Sequence, residues 1–361
     1  MVKEYGYEYD ATLFDELYNQ SKGKITKKTL FGAICLRSGR DALKAVAREF
    51  SPVTVLMPAL ACESMILPFE MYGHNVCYYK LKEDYSIDLD DLENKIPEQD
   101  SIFLYMNYFG KEAISDNELK GLRNKFKKLY FIKDSTHDLF YKKKTSFIPD
   151  FTVFSLRKWI NIPDGGLLWA NKALKNNNFG MDLSFFETRL KAQILRKEFL
   201  KTGNQTIKSE YRAIFSRVSD ILDKDLIPVR MSKYSYEIAI KTDWNKLVST
   251  RKNNAKKLIE LLSDSPVKFI QNESGISDLY VPFLVNNRSE IQNALSAKGI
   301  FNTIIWPLKN EQKNICSVAE CTQSNMLAAP CDQRYTVNDM EYIGKEIVRV
   351  IIEQKNNDSR C

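Results

Sequence analysis

At 361 residues, with 44% hydrophobic and 27% charged residues, the chain is long enough for two domains and has the composition of a globular protein. Its net charge of +7 is concentrated partly in lysine runs at 120–128 and 141–146. These runs lack the interleaved aromatics or recognisable module of a nucleic-acid binder, so nucleic acid is excluded, while a basic surface suits an anionic small molecule. Seven cysteines without a CxxC and only two histidines exclude a disulfide framework and a zinc site. With no apolar run near the roughly 20 residues of a membrane span and no signal-peptide core, a cytoplasmic protein without a metal is expected.

In chain order, an irregular arm over residues 1–25 is expected first. LRSGRDALKAVAREF then predicts a helix opening at Ser38, Gly39 and Arg40. VTVLMP is a short strand ended by proline, ACESMILPFEMYG a helix closing at Gly73, and NVCYYKL the next strand. SIDLDDLENKI reads as an acidic turn feeding a short helix, and SIFLYMNYFG as a strand stopping near Asn107. NELKGLRNKFKK is a charged helix, and LYFIKD is a strand ending at Asp134. Thr152 to Leu156 is a buried strand, followed at once by Lys158, a Pro-Asp-Gly-Gly turn and a second apolar strand from Leu167.

Strands alternating with helices imply βαβ units and a largely parallel sheet covered on both faces. Ligands of such sheets sit beyond the carboxyl ends of the strands, and Asn107, Asp134, His137 and Lys158 all fall there. From Lys172 to about Asp225 the pattern predicts outer helices, continued by RMSKYSYEIAIK and TDWNKLVSTRKNNAKKLIELL. Beyond Ser265, the pieces KFIQN, DLYVPFLV, SEIQNALSAKGI, NTIIWPL and NDMEYIGKEIVRVIIEQ suggest a smaller α+β unit. The expected division is a large α/β domain over 1–240 and a small C-terminal α+β domain over 241–361.

Lys158 is the residue to explain, because an ammonium at the mouth of two apolar strands costs several kcal/mol unless paired or chemically used. A solvated turn lysine is the ordinary alternative, and a Schiff-base lysine the chemical one. Pyridoxal phosphate needs a lysine, a carboxylate for its ring nitrogen and phosphate donors at a helix N-terminus. Lys158, Asp134 and the Ser38-Gly39-Arg40 helix start supply each, with the Ser155 hydroxyl three residues before the lysine. Singly, Asp134 also reads as a turn former and His137 as a structural histidine.

The pieces SGRDAL, VLMPAL, YGHNVCYYKLKEDYSIDLDDLENKI, YMNYFGK, IKDSTHDLF and SLRKWINIPDGG, in this order and spacing, resemble the DegT/DnrJ/EryC1/StrS family of sugar aminotransferases. The resemblance runs from about Leu30 and is looser in the C-terminal half. It implies fold-type I, a large mostly parallel-sheet domain sandwiched by helices plus a small α+β domain, and a homodimer. The implied reaction is transfer of an amino group from an amino-acid donor, glutamate, to a nucleotide-linked ketosugar of surface polysaccharide or related sugars.

Residue by residue, the resemblance makes Lys158 the cofactor-bonding lysine and proton carrier, and Asp134 the partner of the pyridinium nitrogen. His137 falls where a glutamine or histidine contacts the ring oxygen. Ser38, Gly39, Arg40 and Ser155 resemble phosphate contacts, with Asp164, Gly165 and Gly166 in the turn after the lysine. Asn107 and Arg230 are the substrate-binding candidates. Departures are the short Ser-x-x-Lys spacing, Cys62 where an aromatic often stacks on the ring, and Pro228 where a neighbouring subunit usually contributes an asparagine. A lyase or dehydratase is the alternative chemistry, but that branch carries histidine in place of the lysine. A non-catalytic regulator that kept the fold is the third reading.

Overall fold

The computed structural model describes residues 2–11, 29–138, 145–263, 265, 267–270 and 279–358. The expected arm beyond residue 11, the lysines at 142–144 and the end of KFIQN lie outside them. In chain order come strands β1 (Tyr5–Gly6), β2 (Thr29–Leu30) and β3 (Ala33–Leu36), then helix α1 (Gly39–Ala47). There follow β4 (Thr54–Pro58), α2 (Glu63–Glu70), β5 (Asn75–Tyr79), α3 (Leu89–Glu93) and β6 (Ser101–Met106). Next are α4 (Asp116–Lys125), β7 (Leu129–Asp134), β8 (Phe151–Ser155) and β9 (Gly166–Ala170).

Among the described residues these strands form an eight-stranded sheet in the order β2-β3-β9-β8-β7-β6-β4-β5. β5, β4, β6, β7 and β8 are mutually parallel. Every residue of β6 is buried, as a parallel strand covered on both faces requires. β9 instead runs antiparallel to both β8 and β3, so the sheet is mostly parallel, as expected, with an antiparallel side. The connection over 156–165 is shorter than the dozen or so residues of a parallel crossover, so the chain has to turn back on itself.

Helices α5 (Ser184–Thr202), α6 (Gln205–Arg217), α7 (Ser219–Lys224), α8 (Lys233–Lys241) and α9 (Trp244–Leu262) follow, as the periodicity predicts. The last stretch contains β10 (Lys268–Phe269), β11 (Val281–Leu284), α10 (Arg288–Ala297) and β12 (Ile300–Phe301). It ends with α11 (Asn310–Ile315), α12 (Ser317–Asn325), β13 (Met326–Ala329) and α13 (Val337–Asp358). β10, β11 and β13 form an antiparallel sheet whose apolar face packs Phe283 and Leu327 with Leu258, Leu295, Met340 and Ile347. NTIIWPL is no strand: only Thr303 makes a single bridge, to Ala328, and Pro307 has no amide to donate.

The first residues are likewise not irregular. β1 pairs in parallel with β12, Gly6 N donates to the Tyr335 hydroxyl at 2.7 Å, and buried Glu4 pairs with Arg196 at 2.6 Å. A buried ion pair with this geometry pins the segment to α5. Among the described residues no helix is long and apolar enough to cross a membrane, and no group of His, Cys, Asp and Glu is arranged to hold a metal ion.

Candidate active site

The carboxyl edge of the sheet gathers the residues of interest because of its register. Met106 lies beside Asp134, Asp134 beside Val153, Ser155 beside Gly166, and Gly166 beside Leu36. Directly after β8 the chain makes one 3₁₀ turn, Leu156–Lys158. Leu156 and Trp159 are fully buried on either side, and the Trp159 indole donates to the Thr136 carbonyl at 2.9 Å. Lys158 is therefore carried by an anchored turn and is itself half-buried. Its Nζ lies 5.9 Å from the centre of the Trp306 ring.

Asp134 is buried, and one carboxylate oxygen accepts from the Thr136 amide at 2.8 Å. Burial raises its pKa above the ordinary carboxylate range, opposed by the Thr136 hydrogen bonds and the nearby Lys158 charge. His137 is 1% exposed and lies between the rings of Phe109 and Trp306, 5.3 and 5.5 Å away. Phe109 adopts φ 54°, a left-handed conformation that costs a bulky residue on the order of 1–3 kcal/mol and here brings its ring to the histidine. The His137 Nδ1 is buried with no hydrogen-bond partner. Burial pushes the imidazole pKa well below its usual value and the Lys158 charge adds to this, so the ring is neutral.

A stability prediction follows from that neutral ring. The unfolded chain takes up this proton near the ordinary histidine value of about 6.5, the folded chain only at lower pH, so stability is complete above that value and lost as pH falls below it. His137→Gln removes this term. Its melting temperature, compared with that of the parent chain between about pH 7.5 and about pH 5.5, is expected to fall less steeply, by up to about 1.4 kcal/mol per pH unit in stability. Parallel melting curves would refute the buried neutral histidine.

The start of α1 meets the same edge. The Ser38 hydroxyl caps the helix, accepting from the Asp41 amide at 3.1 Å, and donates to the Asp41 carboxylate at 2.5 Å. The Arg40 guanidinium pairs with Asp223. Both side chains are thus engaged within the protein, and the Gly39 and Arg40 amides, first in the helix, are what the turn offers an anion. A Cβ on Gly39 would touch the Ser155 side chain at 3.4 Å, and one on Gly166 would meet the Ser38 carbonyl at 2.2 Å. The glycines let the helix end close onto β8 and β9. Buried Asp164 then ties the turn to α8, accepting from the Ser232 amide and hydroxyl at 2.7 and 2.6 Å and from the Ser235 hydroxyl.

The other candidates are placed differently. The Asn107 amide is held at both ends, donating to Asp138 at 2.8 Å and accepting from the Ala113 amide at 3.1 Å. Cys62 stands at the residue before α2 without a capping hydrogen bond from its side chain, its sulfur 2.9 Å from the Ser64 hydroxyl. The Arg230 guanidinium stacks on Phe179, 4.7 Å from the ring centre. Trp306, against both His137 and Lys158, is the neighbour the sequence did not single out; NTIIWPL has only the texture of a core segment, and long-range folding alone carries it here.

No family model and no curated protein matches the sequence. The structure, by contrast, superposes on solved structures over nearly its whole length. Helicobacter pylori PseC, an aminotransferase of pseudoaminic acid biosynthesis, is 16% identical with a TM-score of 0.67, covering 97% of this chain and all of that one. Its fold is that of the fold-type I pyridoxal-phosphate transferases. A DegT DnrJ EryC1 StrS aminotransferase from Brucella abortus is similar at 17% identity and a TM-score of 0.60, covering 87% of this chain and 84% of that one. The E. coli GDP-4-keto-6-deoxy-D-mannose-3-dehydratase, solved with bound hydrated PLP, matches at 16% identity and 0.64, covering 96% and 100%.

Proposed function

We propose that this chain is a pyridoxal-phosphate-dependent aminotransferase of the DegT/DnrJ/EryC1/StrS family. It moves an amino group from glutamate onto the keto carbon of a nucleotide-linked sugar in surface-polysaccharide or related sugar biosynthesis. The observation that carries this reading is the single sheet edge at which Lys158, buried Asp134 and the glycine-opened start of α1 meet. We further propose that residues 1–240 form the cofactor-binding domain and 241–361 the small domain, and that the chain works as a cytoplasmic homodimer.

The residues fit the cofactor in kind. Asp134 would hold the ring nitrogen, the His137 Nδ1 without a partner would face a ring substituent, and the Gly39 and Arg40 amides with Ser155 would hold the phosphate. When bound, pyridoxal phosphate supplies a ring that accepts the electron pair left when a C–H bond next to nitrogen breaks. Lys158 Nζ would anchor the cofactor, and its amine is the group placed to carry a proton between the two carbons that flank the transferred nitrogen. Trp306 lies against both His137 and the Lys158 amine and limits where that amine can swing. The dehydratase among the fold relatives makes a lyase the second reading, and an amine at position 158 rather than an imidazole favours transamination.

Borohydride reduction of the purified, cofactor-loaded protein tests this directly. A visible absorbance band that borohydride bleaches, with a pyridoxyl adduct on the Lys158 peptide, is the expected result, and glutamate should convert the bound cofactor to its pyridoxamine form. An adduct on another lysine, or none, would overturn the site; an adduct without conversion by glutamate or other amino donors would favour the lyase.

A further inference from the structure

Lys158 also lines a cavity of about 390 Å³ with an unusual charge balance. Among the described residues its wall holds Arg157, Arg189, Arg251 and Arg334 against two carboxylates, Glu8 and Asp332. Three of the guanidiniums are accounted for. Arg334 grips Asp332 with two hydrogen bonds of 2.8 Å, and Arg189 holds Glu8 at 2.7 Å. Arg251 donates to neutral acceptors, the Tyr9 hydroxyl and the Gln333 side chain, both at 2.8 Å.

Arg157 is different. Among the described residues it has no hydrogen-bond acceptor and no ion pair, its Nε is buried without a partner, and its guanidinium lies 5.2 Å from the centre of the Phe185 ring. Glu8 and Asp164 act on Arg157 only at a distance, so its buried N–H groups stay without an acceptor, a cost that a folded protein recovers when a ligand brings one. Burial and the neighbouring Arg189 charge together push its pKa down to about 9, so it remains protonated at neutral pH.

The cavity has already accepted one anion, and it is a carboxylate. Burial favours the protonated form of Glu8, but Arg189, supported by Arg157 and Arg334, holds it below the ordinary range and keeps it charged. The position of the vacant cation also selects between anions. In an amino donor the carboxylate is one bond from the carbon that reacts, so its receptor must share a cavity with the reacting amine, and Arg157 and Lys158 line the same one. In a nucleotide-linked sugar the phosphates are separated from the keto carbon by ring atoms, which puts their receptor further away.

We propose that Arg157 binds the carboxylate of a dicarboxylic amino donor in this cavity, with Glu8 as the built-in counter-ion of the cluster; this rests on the transaminase reading above. The probe is glutarate, a dicarboxylate without an amine, titrated calorimetrically into the full chain with and without pyridoxal phosphate, alongside pyrophosphate. Glutarate is expected to bind the parent chain, to bind Arg157→Gln at least tenfold more weakly, and to recover part of that loss in Arg157→Lys, all three melting alike. Absence of glutarate binding to the parent chain, equal binding by Arg157→Gln, or pyrophosphate binding that depends on Arg157 while glutarate binding does not, would overturn the proposal. Failure of the transaminase reading has a separate signature: no conversion of bound pyridoxal phosphate to its pyridoxamine form by any amino donor, whatever glutarate does.

Discussion

Lys158→Ala is expected to fold, to retain pyridoxal phosphate through the α1 start and Asp134, and to lose amino transfer from glutamate by at least about a thousandfold. The fold should survive because the side chain is only half-buried and makes no hydrogen bond or ion pair among the described residues, its ring contact being Trp306. Substitutions of that kind change stability by less than about 1 kcal/mol. The chemistry should not survive, because the amine has two tasks that no neighbour can take over. It anchors the cofactor, and it moves the proton; a positioned acid–base group alone is worth roughly 10²–10⁴-fold. His137 cannot replace it, since burial lowers the basicity of that imidazole and an imidazole cannot take the imine link of a primary amine. The measurement is a single-turnover absorbance change on adding glutamate, with the melting temperature recorded beside it. A variant that transfers the amino group at a rate near that of the parent chain would remove Lys158 from the centre of the site.

The short Ser-x-x-Lys spacing, which reads in the sequence as a departure from the family pattern, has a plain geometric content. One 3₁₀ turn, Leu156–Lys158, follows Ser155 directly. Ser155, the last residue of β8, thus stands one turn before Lys158 at the same end of the strand.

What the sequence reveals and conceals about this site follows from the range of the interactions. Asp134 and the strand that carries it are legible because LYFIKD has a local apolar pattern with a charge at its end, and burial on both faces of a parallel strand leaves that mark. The α1 start is legible from Ser38 and Gly39, a capping signal confined to four residues. The reversal of β9, the pairing of β1 with β12 and the arrival of Trp306 over His137 are set by contacts between residues far apart in the chain, which no periodicity records. Arg157 is the sharpest case: its neighbours in sequence say only that it follows a strand, and its lack of a partner is a property of the folded cavity.

Gly166→Ala should have the second large effect, and it tests the phosphate end of the site without touching the lysine. A Cβ at this position would lie 2.2 Å from the Ser38 carbonyl carbon and oxygen and 2.6 Å from the Gly39 amide nitrogen. These are backbone atoms of the helix start, so no rotamer change relieves the overlap, and α1 has to retreat from β9 by roughly 1 Å, the scale at which overpacking costs about 1–3 kcal/mol. The same shift opens the pairing of Leu36 with Gly166 and draws the Gly39 and Arg40 amides away from Ser155. Affinity for pyridoxal phosphate, followed by fluorescence titration, should drop by about a hundredfold, the size expected when about two charge-assisted hydrogen bonds are lost. Gly121→Ala is the matched control: it lies within α4, a Cβ there meets nothing within 4 Å, and the change should raise stability by about 0.5–1 kcal/mol with cofactor affinity unaltered. If Gly166→Ala binds the cofactor as tightly as Gly121→Ala does, the closure of α1 onto β9 is not what builds the phosphate site.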